Sequence, residues 1–191
     1  MTSGTSSKKP NTVPFEVAPH LSRYSITMKD YLKQHTHLRI LAVGVLVRHE
    51  DRVLIVQRSK EERAYPNVWE IPGGSCESMD ETILHGAARE LYEEAGLTVS
   101  RICDQVTEGH TFWTGTSQWL KLTFLAEVQE AKNTDASGFP AVKLDPEEHQ
   151  DYAWVTKQQA LDGHFGDSSF GFLNETQKRV VLQGFNMVVL Q

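Results

Sequence analysis

The pattern of apolar and polar positions predicts several β-strands along the chain. Residues 39–48 (RILAVGVLVR) and 52–58 (RVLIVQR) are dense in β-branched and aliphatic residues, and three polar residues separate them. Two such runs joined by a short polar segment are typical of a β-hairpin. Further strands are predicted over residues 68–72, 97–106, 118–128 and 151–155.

After the Gly-Gly pair at residues 73 and 74, the period of the pattern changes to that of a helix. Ser78 and Glu81 have the spacing of a capping box, which predicts that the helix begins near Ser78. Gly96 stands where a left-handed C-cap ends a helix. Further helices are predicted over residues 28–34, 157–162 and 174–186. The apolar residues that recur at steps of three and four are Ile83, Leu84, Ala87, Ala88, Leu91 and Ala95.

Strands mixed with two main helices predict an α/β or α+β sandwich, in which helices cover a mixed sheet. The length of 191 residues suits one domain, which we expect over residues 15–191. Residues 1–14 are rich in Ser, Thr, Lys and Pro. We therefore expect them to form a disordered tail.

The amino-acid composition limits which binding partners and which cellular compartment are expected. The 19 Lys and Arg residues against 25 Asp and Glu residues give a formal net charge of −6. This balance argues against a broad nucleic-acid surface, because phosphate neutralisation needs a basic excess. Two cysteines in no paired motif exclude a disulfide framework and favour a reducing compartment.

The absence of long apolar stretches bears on localisation. No stretch of the sequence has the length and apolarity of a transmembrane helix, and the N-terminus lacks the apolar core of a signal peptide. We expect a cytoplasmic protein with no membrane partner. Nuclear access and the oligomeric state stay open.

Three carboxylates of the predicted helix carry the candidate chemistry. At about 100° per residue, Glu90, Glu93 and Glu94 fall within one arc beside the apolar stripe. Like charges at this spacing destabilise a helix by a few tenths of a kcal/mol per pair, roughly. A divalent cation would neutralise them, and ligation by oxygen alone selects Mg²⁺ or Mn²⁺ rather than zinc. The alternative is an acidic helix face that is merely solvated.

The segment around these carboxylates resembles the Nudix box, which reads G, five residues, E, seven residues, R-E-U-x-E-E-x-G-U, with U aliphatic. Residues 89–97 (RELYEEAGL) match its second half without a mismatch, and seven residues separate Glu81 from Arg89. Six residues rather than five separate Gly74 from Glu81, so the loop before the helix has one extra residue. The segments VGVLV, WEIPGG and EEHQDYAWV are also similar to this family.

The resemblance to Nudix hydrolases implies an α/β/α sandwich and Mg²⁺-dependent cleavage of a diphosphate linked to another moiety, with Mn²⁺ as a second metal. It implies a metal site at Glu90, Glu93, Glu94 and Gly74. The implied catalytic residues are Glu93, Glu94, Arg89 and Glu148. We expect Arg89 to hold a glutamate of the cluster rather than to contact substrate. Either Glu147 or Glu148 is expected to serve as an extra ligand or base, with a solvated loop as the alternative.

The substrate moiety is not specified by the box. Phe112, Trp113 and Trp119 follow it and are suited to stack on a nucleobase, although core packing is the alternative for each. Arg58 is a candidate for phosphate binding. No histidine shows a metal-ligand spacing.

The open hypotheses are hydrolysis of a nucleotide derivative (nucleoside triphosphate, dinucleotide or nucleotide sugar), hydrolysis of a prenyl diphosphate or inositol pyrophosphate, and a binding module without turnover.

Overall fold

The computed structural model describes residues 13–166 and 168–187. The tail predicted over residues 1–14 therefore lies outside the described residues except for Val13 and Pro14, which are exposed. The disorder expected for residues 1–12 stays a prediction.

An eight-stranded mixed sheet forms the frame of the molecule. The order along its main path is β1-β5-β7-β2-β3-β4, with β6 paired to β7 and β8 paired to β3. A separate two-stranded sheet consists of β9 (His164–Phe165) and β10 (Ser168–Ser169). The strands of the large sheet are β1 (Glu16–Val17), β2 (Ile40–His49), β3 (Arg52–Arg58), β4 (Trp69–Glu70), β5 (Val99–Gln105), β6 (His110–Thr114), β7 (Ser117–Val128) and β8 (His149–Thr156).

Strand β2 lies at the centre and has different neighbours along its two edges. It runs parallel to β7 from Ile40 to Val47, but it pairs with β3 only at Arg48 and His49, next to the hairpin turn. Beyond that turn, residues 72–76 take the place of β3 beside β2. Three hydrogen bonds of 2.8–2.9 Å join them, from Val43 N to Gly74 O, from Val45 N to Pro72 O and from Cys76 N to Leu41 O.

Helices cover both faces of the sheet, which confirms the predicted α/β sandwich. One face packs against α2, where Leu84 and Leu91 join Val43 in a buried cluster. The other face packs against α3 and α4, where Val181 joins Leu46. No helix in the described part of the chain is both long enough and apolar enough to cross a membrane. The helices are α1 (Met28–Gln34), α2 (Ile83–Ala95), α3 (Lys157–Asp162) and α4 (Glu175–Gly184), with 3₁₀ turns at Pro19–Tyr24 and Gln129–Lys132.

The predicted start of the central helix is wrong. Helix α2 begins at Ile83, and its N-cap is Thr82, whose hydroxyl accepts the His85 N–H at 3.2 Å. Residues 77–80 instead close a turn, because the Asp80 carboxylate accepts the Glu77 N–H at 2.7 Å. The side chain of Glu81 is 82% exposed and lies 3.7 Å from His85, so it caps nothing.

Candidate active site

Helix α2 brings the three predicted glutamates to one place beside the glycine-rich turn. Glu90 and Glu94 are buried, at 8% and 6% exposure, and Glu93 is half-buried. The helix ends as predicted at Gly96, which has the left-handed φ of 67° and donates its N–H to Tyr92 O. The apolar stripe fixes the rotation of the helix, and this rotation determines where the carboxylates point.

Arg89 holds two of the glutamates through its guanidinium. Its Nη1 donates to Glu90 Oε1 at 2.9 Å and to Glu93 Oε2 at 2.8 Å. Its Nε and Nη2 donate to the two carboxylate oxygens of Asp80 at 2.9 and 3.1 Å, and Nη2 also donates to Ser75 O at 3.0 Å. A guanidinium has five N–H donors, and these five bonds use them all. Arg89 therefore contacts Glu90, Glu93 and Asp80 and has no donor left for a substrate.

Asp80 is a buried member of this network that sequence reasoning missed. It lies nine residues before Arg89, and this spacing is set by the loop rather than by the helical period. The loop closes onto α2 at Gly86, because a Cβ there would lie 2.7 Å from Asp80 Oδ2. A small residue in an otherwise periodic helix is the sequence signal that points to such a close approach.

The turn at Gly73 and Gly74 supplies backbone contacts to the cluster. Gly73 has a φ of 148°, and a Cβ there would lie 2.2 Å from Val43 O, so only glycine fits. Its N–H donates to Glu94 Oε2 at 2.7 Å. A Cβ on Gly74 would lie 2.7 Å from Glu90 Oε2, so this position also leaves room for a carboxylate. The predicted metal ligand, the Gly74 carbonyl, accepts the Val43 N–H and keeps its second lone pair.

Burial makes the charged form of these carboxylates unfavourable. Burial raises the pKa of Glu90 to about 7, against the opposing effect of Arg89 and with a further contribution from Glu93. Burial also raises the pKa of Glu94 well above its usual value, and the neighbouring Glu90 and Glu70 add to this effect. A divalent cation between these oxygens would offset both the desolvation and the repulsion. Their donor set, oxygen alone, fits a hard ion such as Mg²⁺ or Mn²⁺.

Glu148 and His149 lie close to Glu94. One ligand atom of each of the three residues lies within 4.8 Å of the other two. Glu148 is exposed, and partial desolvation raises its pKa. His149 is buried at the start of β8, although no spacing in the sequence marked it as a ligand. Only the pairing of β8 with β3 brings it to the cluster.

Contacts within the protein use three of the five N–H donors of Arg58, and its binding of a phosphate stays a prediction. Its Nη1 donates to Glu70 Oε1 at 2.8 Å, its Nε donates to Ala64 O at 2.9 Å, and its Nη2 lies 3.3 Å from Glu62 Oε2. Burial would raise the pKa of Glu70, but His149, Lys121 and Arg58 together lower it to about 2. Arg58 is therefore placed to neutralise a buried carboxylate beside the cluster.

The two aromatic residues of β6 are not core residues. Phe112 is 36% exposed and Trp113 is 66% exposed, so core packing, the alternative considered for each, is wrong. Trp119 is half-buried, and its ring stacks on that of Phe112 with centroids 5.6 Å apart. The hairpin formed by β6 and β7 pairs Phe112 with Trp119 and His110 with Lys121. Side chains of paired residues project from the same face, and those of adjacent residues from opposite faces.

The fold and the carboxylate cluster define a class of α/β/α enzymes, and comparison with known proteins gives the family. The NUDIX domain model matches residues 38–174, so the chain belongs to the Nudix hydrolase family. An m7GpppN-mRNA hydrolase, NUDT17 of Danio rerio, is 39% identical over 80 residues, which are 39% of this chain and 26% of that protein. The match thus spans about a quarter of that relative's length.

Solved structures show the same fold. The MutT protein of Methanosarcina mazei Go1 has a TM-score of 0.56 and 26% identity, over 77% of this chain and 92% of that one. The NUDIX domain of Shewanella oneidensis NrtR, solved with ADP ribose, has a TM-score of 0.57 and 18% identity, over 84% of this chain and 98% of that one. At 18% identity, the second likeness concerns the fold alone.

Proposed function

We propose that the protein hydrolyses the diphosphate of a nucleotide derivative with a divalent cation held by Glu90, Glu93 and Glu94. The observation that carries this proposal is the convergence of three carboxylates, two of them buried, whose charge a cation offsets. When bound, Mg²⁺ or Mn²⁺ supplies charge neutralisation and polarises the phosphate oxygens.

Other groups of the protein orient the carboxylates, bind the cation and accept the proton. Arg89 and the Gly73 N–H fix the orientation of the carboxylates, which matters because phosphoryl transfer depends mostly on positioning and charge stabilisation. The Gly74 carbonyl offers one more oxygen to the cation. Glu148 supplies a fourth carboxylate, as a ligand or as the acceptor of the proton from the attacking water. The oxygen of that water bonds to one phosphorus, and the bridging P–O bond on that phosphorus breaks.

The nucleotide part of the proposal draws on the hairpin of β6 and β7. The register puts Phe112, Trp119 and Lys121 on one face, and the charge of Lys121 acts on Glu70 beside the cluster. An exposed aromatic residue on this face is suited to stack on a base while the glutamates handle the diphosphate. The relatives named above, an mRNA-cap hydrolase and a domain bound to ADP ribose, agree with such a substrate.

The test is a panel of diphosphates incubated with Mg²⁺ or Mn²⁺, with product release measured by chromatography. The panel contains ADP ribose, a nucleoside triphosphate, a dinucleoside polyphosphate, a capped dinucleotide, a prenyl diphosphate and an inositol pyrophosphate. Turnover of a nucleotide that requires the metal supports the proposal. Turnover of only the prenyl or inositol compound contradicts the substrate class. No turnover of any compound favours a binding module.

A further inference from the structure

The buried His149 makes no hydrogen bond of normal length within the described part of the chain, although its longer contact with Glu70 contributes to the lowered pKa of that carboxyl group. Its side chain is 1% exposed, and neither ring nitrogen has a hydrogen-bond partner among the described residues. The nearest acidic atom is Glu70 Oε1, at 3.6 Å from Nε2, which is beyond normal hydrogen-bond distance. A buried polar group without a partner carries a desolvation penalty, so its presence calls for an explanation.

Two carboxylates near His149 offer an explanation for its burial. A ring nitrogen of His149 lies within 4.8 Å of a carboxylate oxygen of Glu94 and of one of Glu148. The backbone holds the last two residues together, since the N–H groups of Glu148 and His149 both donate to Asp145 O, at 3.1 and 2.8 Å. Glu94 is held by the Gly73 N–H through Oε2. Three potential ligands from two segments, helix α2 and the start of β8, therefore lie close together.

We propose that His149 is a nitrogen ligand of a cation site completed by Glu94 and Glu148, which favours Mn²⁺ or a later first-row ion over Mg²⁺. The site shares Glu94 with the cluster of the proposed function, and the inference rests on that function for its role in turnover. Imidazole suits transition metals, whereas Mg²⁺ prefers oxygen ligands and water.

The geometry allows such a site with little movement. Ligand atoms bind these ions at about 2.0–2.2 Å. Three atoms that lie within 4.8 Å of one another are all within about 2.8 Å of a common point, so each needs to move toward an ion at that point by about 0.7 Å at most. Glu148 is exposed, and its side chain has room for this adjustment.

The first test compares metal affinities of the full chain with and without the imidazole. Titration calorimetry with Co²⁺ and with Mg²⁺ is carried out on the unaltered protein, on His149→Gln and on His20→Gln. His20 is an exposed histidine that pairs with Asp104 and serves as the matched control. We expect Co²⁺ to bind the unaltered protein about tenfold or more tighter than Mg²⁺. We expect His149→Gln to lose about tenfold in Co²⁺ affinity with little change in Mg²⁺ affinity, and His20→Gln to change neither. Equal Co²⁺ affinity in all three proteins would overturn the proposal.

A second measurement needs no variant at His149, which covers the case in which His149→Gln does not fold. Mn²⁺ is added to the unaltered protein labelled with ¹⁵N at histidine, and pulsed electron paramagnetic resonance detects coupling of the metal to that nitrogen. Coupling that is absent from a protein with unlabelled histidine supports the site. Absence of any such coupling overturns it.

The outcomes separate this inference from the proposed function. Nitrogen coupling without turnover of any diphosphate supports the His149 site and contradicts the hydrolase proposal. Turnover with Mg²⁺, together with no coupling and no effect of His149→Gln on Co²⁺ affinity, supports the hydrolase and overturns the His149 site.

Discussion

At the scale of single residues, a buried charge persists here because another charge is fixed beside it. Arg89 makes four hydrogen bonds to the carboxylates of Asp80, Glu90 and Glu93. Arg58 makes one hydrogen bond to Glu70, which lies beside the cluster. Removing one partner of such a buried pair leaves the other charge uncompensated, at a cost of about 3–5 kcal/mol. Individual side chains of the cluster are therefore tied to stability as well as to chemistry.

Changing a single carboxylate to its amide tests the metal cluster. We expect Glu93→Gln and Glu94→Gln each to lower turnover by about two orders of magnitude or more, because metal assistance supplies several kcal/mol. Glu81→Gln is the matched control, since Glu81 belongs to the same box but is exposed on the loop. Helix content should be unchanged, because Gln and Glu have similar helix propensity. Full activity in both cluster variants at saturating Mg²⁺ would contradict the assignment.

The aromatic residues of β6 provide a test of substrate recognition. We expect Phe112→Ala to raise KM, because Phe112 shares a face with Lys121, and Trp113→Ala to have the smaller effect from the opposite face. Neither should lower the free energy of unfolding by much more than about 0.5 kcal/mol, since both side chains are exposed. Steady-state kinetics on the best substrate of the panel measures KM for both variants. A larger change in KM for Trp113→Ala would place the base on the other face of the hairpin.

At the scale of elements, helix α2 combines an apolar stripe, a cap at each end and the three clustered carboxylates. Its period and its C-cap could be predicted from sequence, because both depend on residues within the helix. Its start could not, because Ser78 and Thr82 are both good N-cap residues. The choice between them depends on the turn that Asp80 makes with Glu77 and Arg89. That turn forms when the loop packs against the helix. Such a loop has no repeating pattern of apolar residues from which the turn could be predicted.

Two alanine substitutions distinguish the two N-caps. We expect Thr82→Ala to lower the free energy of unfolding by about 1 kcal/mol, because it removes the acceptor for the His85 N–H. We expect Ser78→Ala, at an exposed position of the loop, to change stability by less than about 0.5 kcal/mol. Urea unfolding of both variants measures the difference. A larger loss for Ser78→Ala would restore the helix start that the sequence pattern predicts.

At the scale of the whole molecule, the site forms where segments distant in the chain meet. The candidate site contains residues from helix α2, from the turn at residues 73–74 and from the start of β8. His149 lies 55 residues after Glu94 in the sequence. The strands with long apolar runs and the carboxylate cluster could be predicted from sequence because they are local patterns. The position of His149 and the neutralisation of Glu70 could not, because they depend on pairing between β3 and β8. The two-residue strands β1, β9 and β10 are too short to show a period.

Stability should depend on pH in a direction set by the buried acids. The pKa of Glu90 is about 7 in the folded protein against an ordinary value of 4.5, so the folded state binds more protons between these pH values. The free energy of unfolding of the metal-free protein should therefore fall as pH rises from about 4.5 to 7, by up to roughly 3 kcal/mol. Glu70 acts in the opposite sense, because its pKa is about 2, and it lowers stability only as pH falls below about 4.5.

Chemical unfolding at pH 5, 6, 7 and 8 in the presence of a chelator measures this dependence. Glu90→Gln should flatten it, and Mn²⁺ should restore stability at pH 7 and 8, because the cation binds the folded state alone. The expectation fails if the unaltered metal-free protein is as stable at pH 8 as at pH 5 and Glu90→Gln follows the same curve.

The N-terminal tail predicted over residues 1–14 is expected to be dispensable, since its sequence has no apolar periodicity. Deleting residues 1–14 should shift the melting temperature by less than about 2 °C and leave turnover unchanged. Deleting residues 1–18 is the comparison, because it also removes β1 and the hydrogen bond from Ala18 N to Ile102 O. A large loss from the shorter deletion would show that the tail packs on the domain.

The three hydrogen bonds that join residues 72–76 to β2 have a consequence for how the protein could be re-engineered. They tie the backbone beside Glu90 and Glu94 to the edge of β2 opposite the edge that pairs with β7. The turn between β6 and β7 could therefore be lengthened or changed in sequence while residues 72–76 stay bound to β2. One scaffold would then accept new leaving groups while retaining the same hydrolytic chemistry.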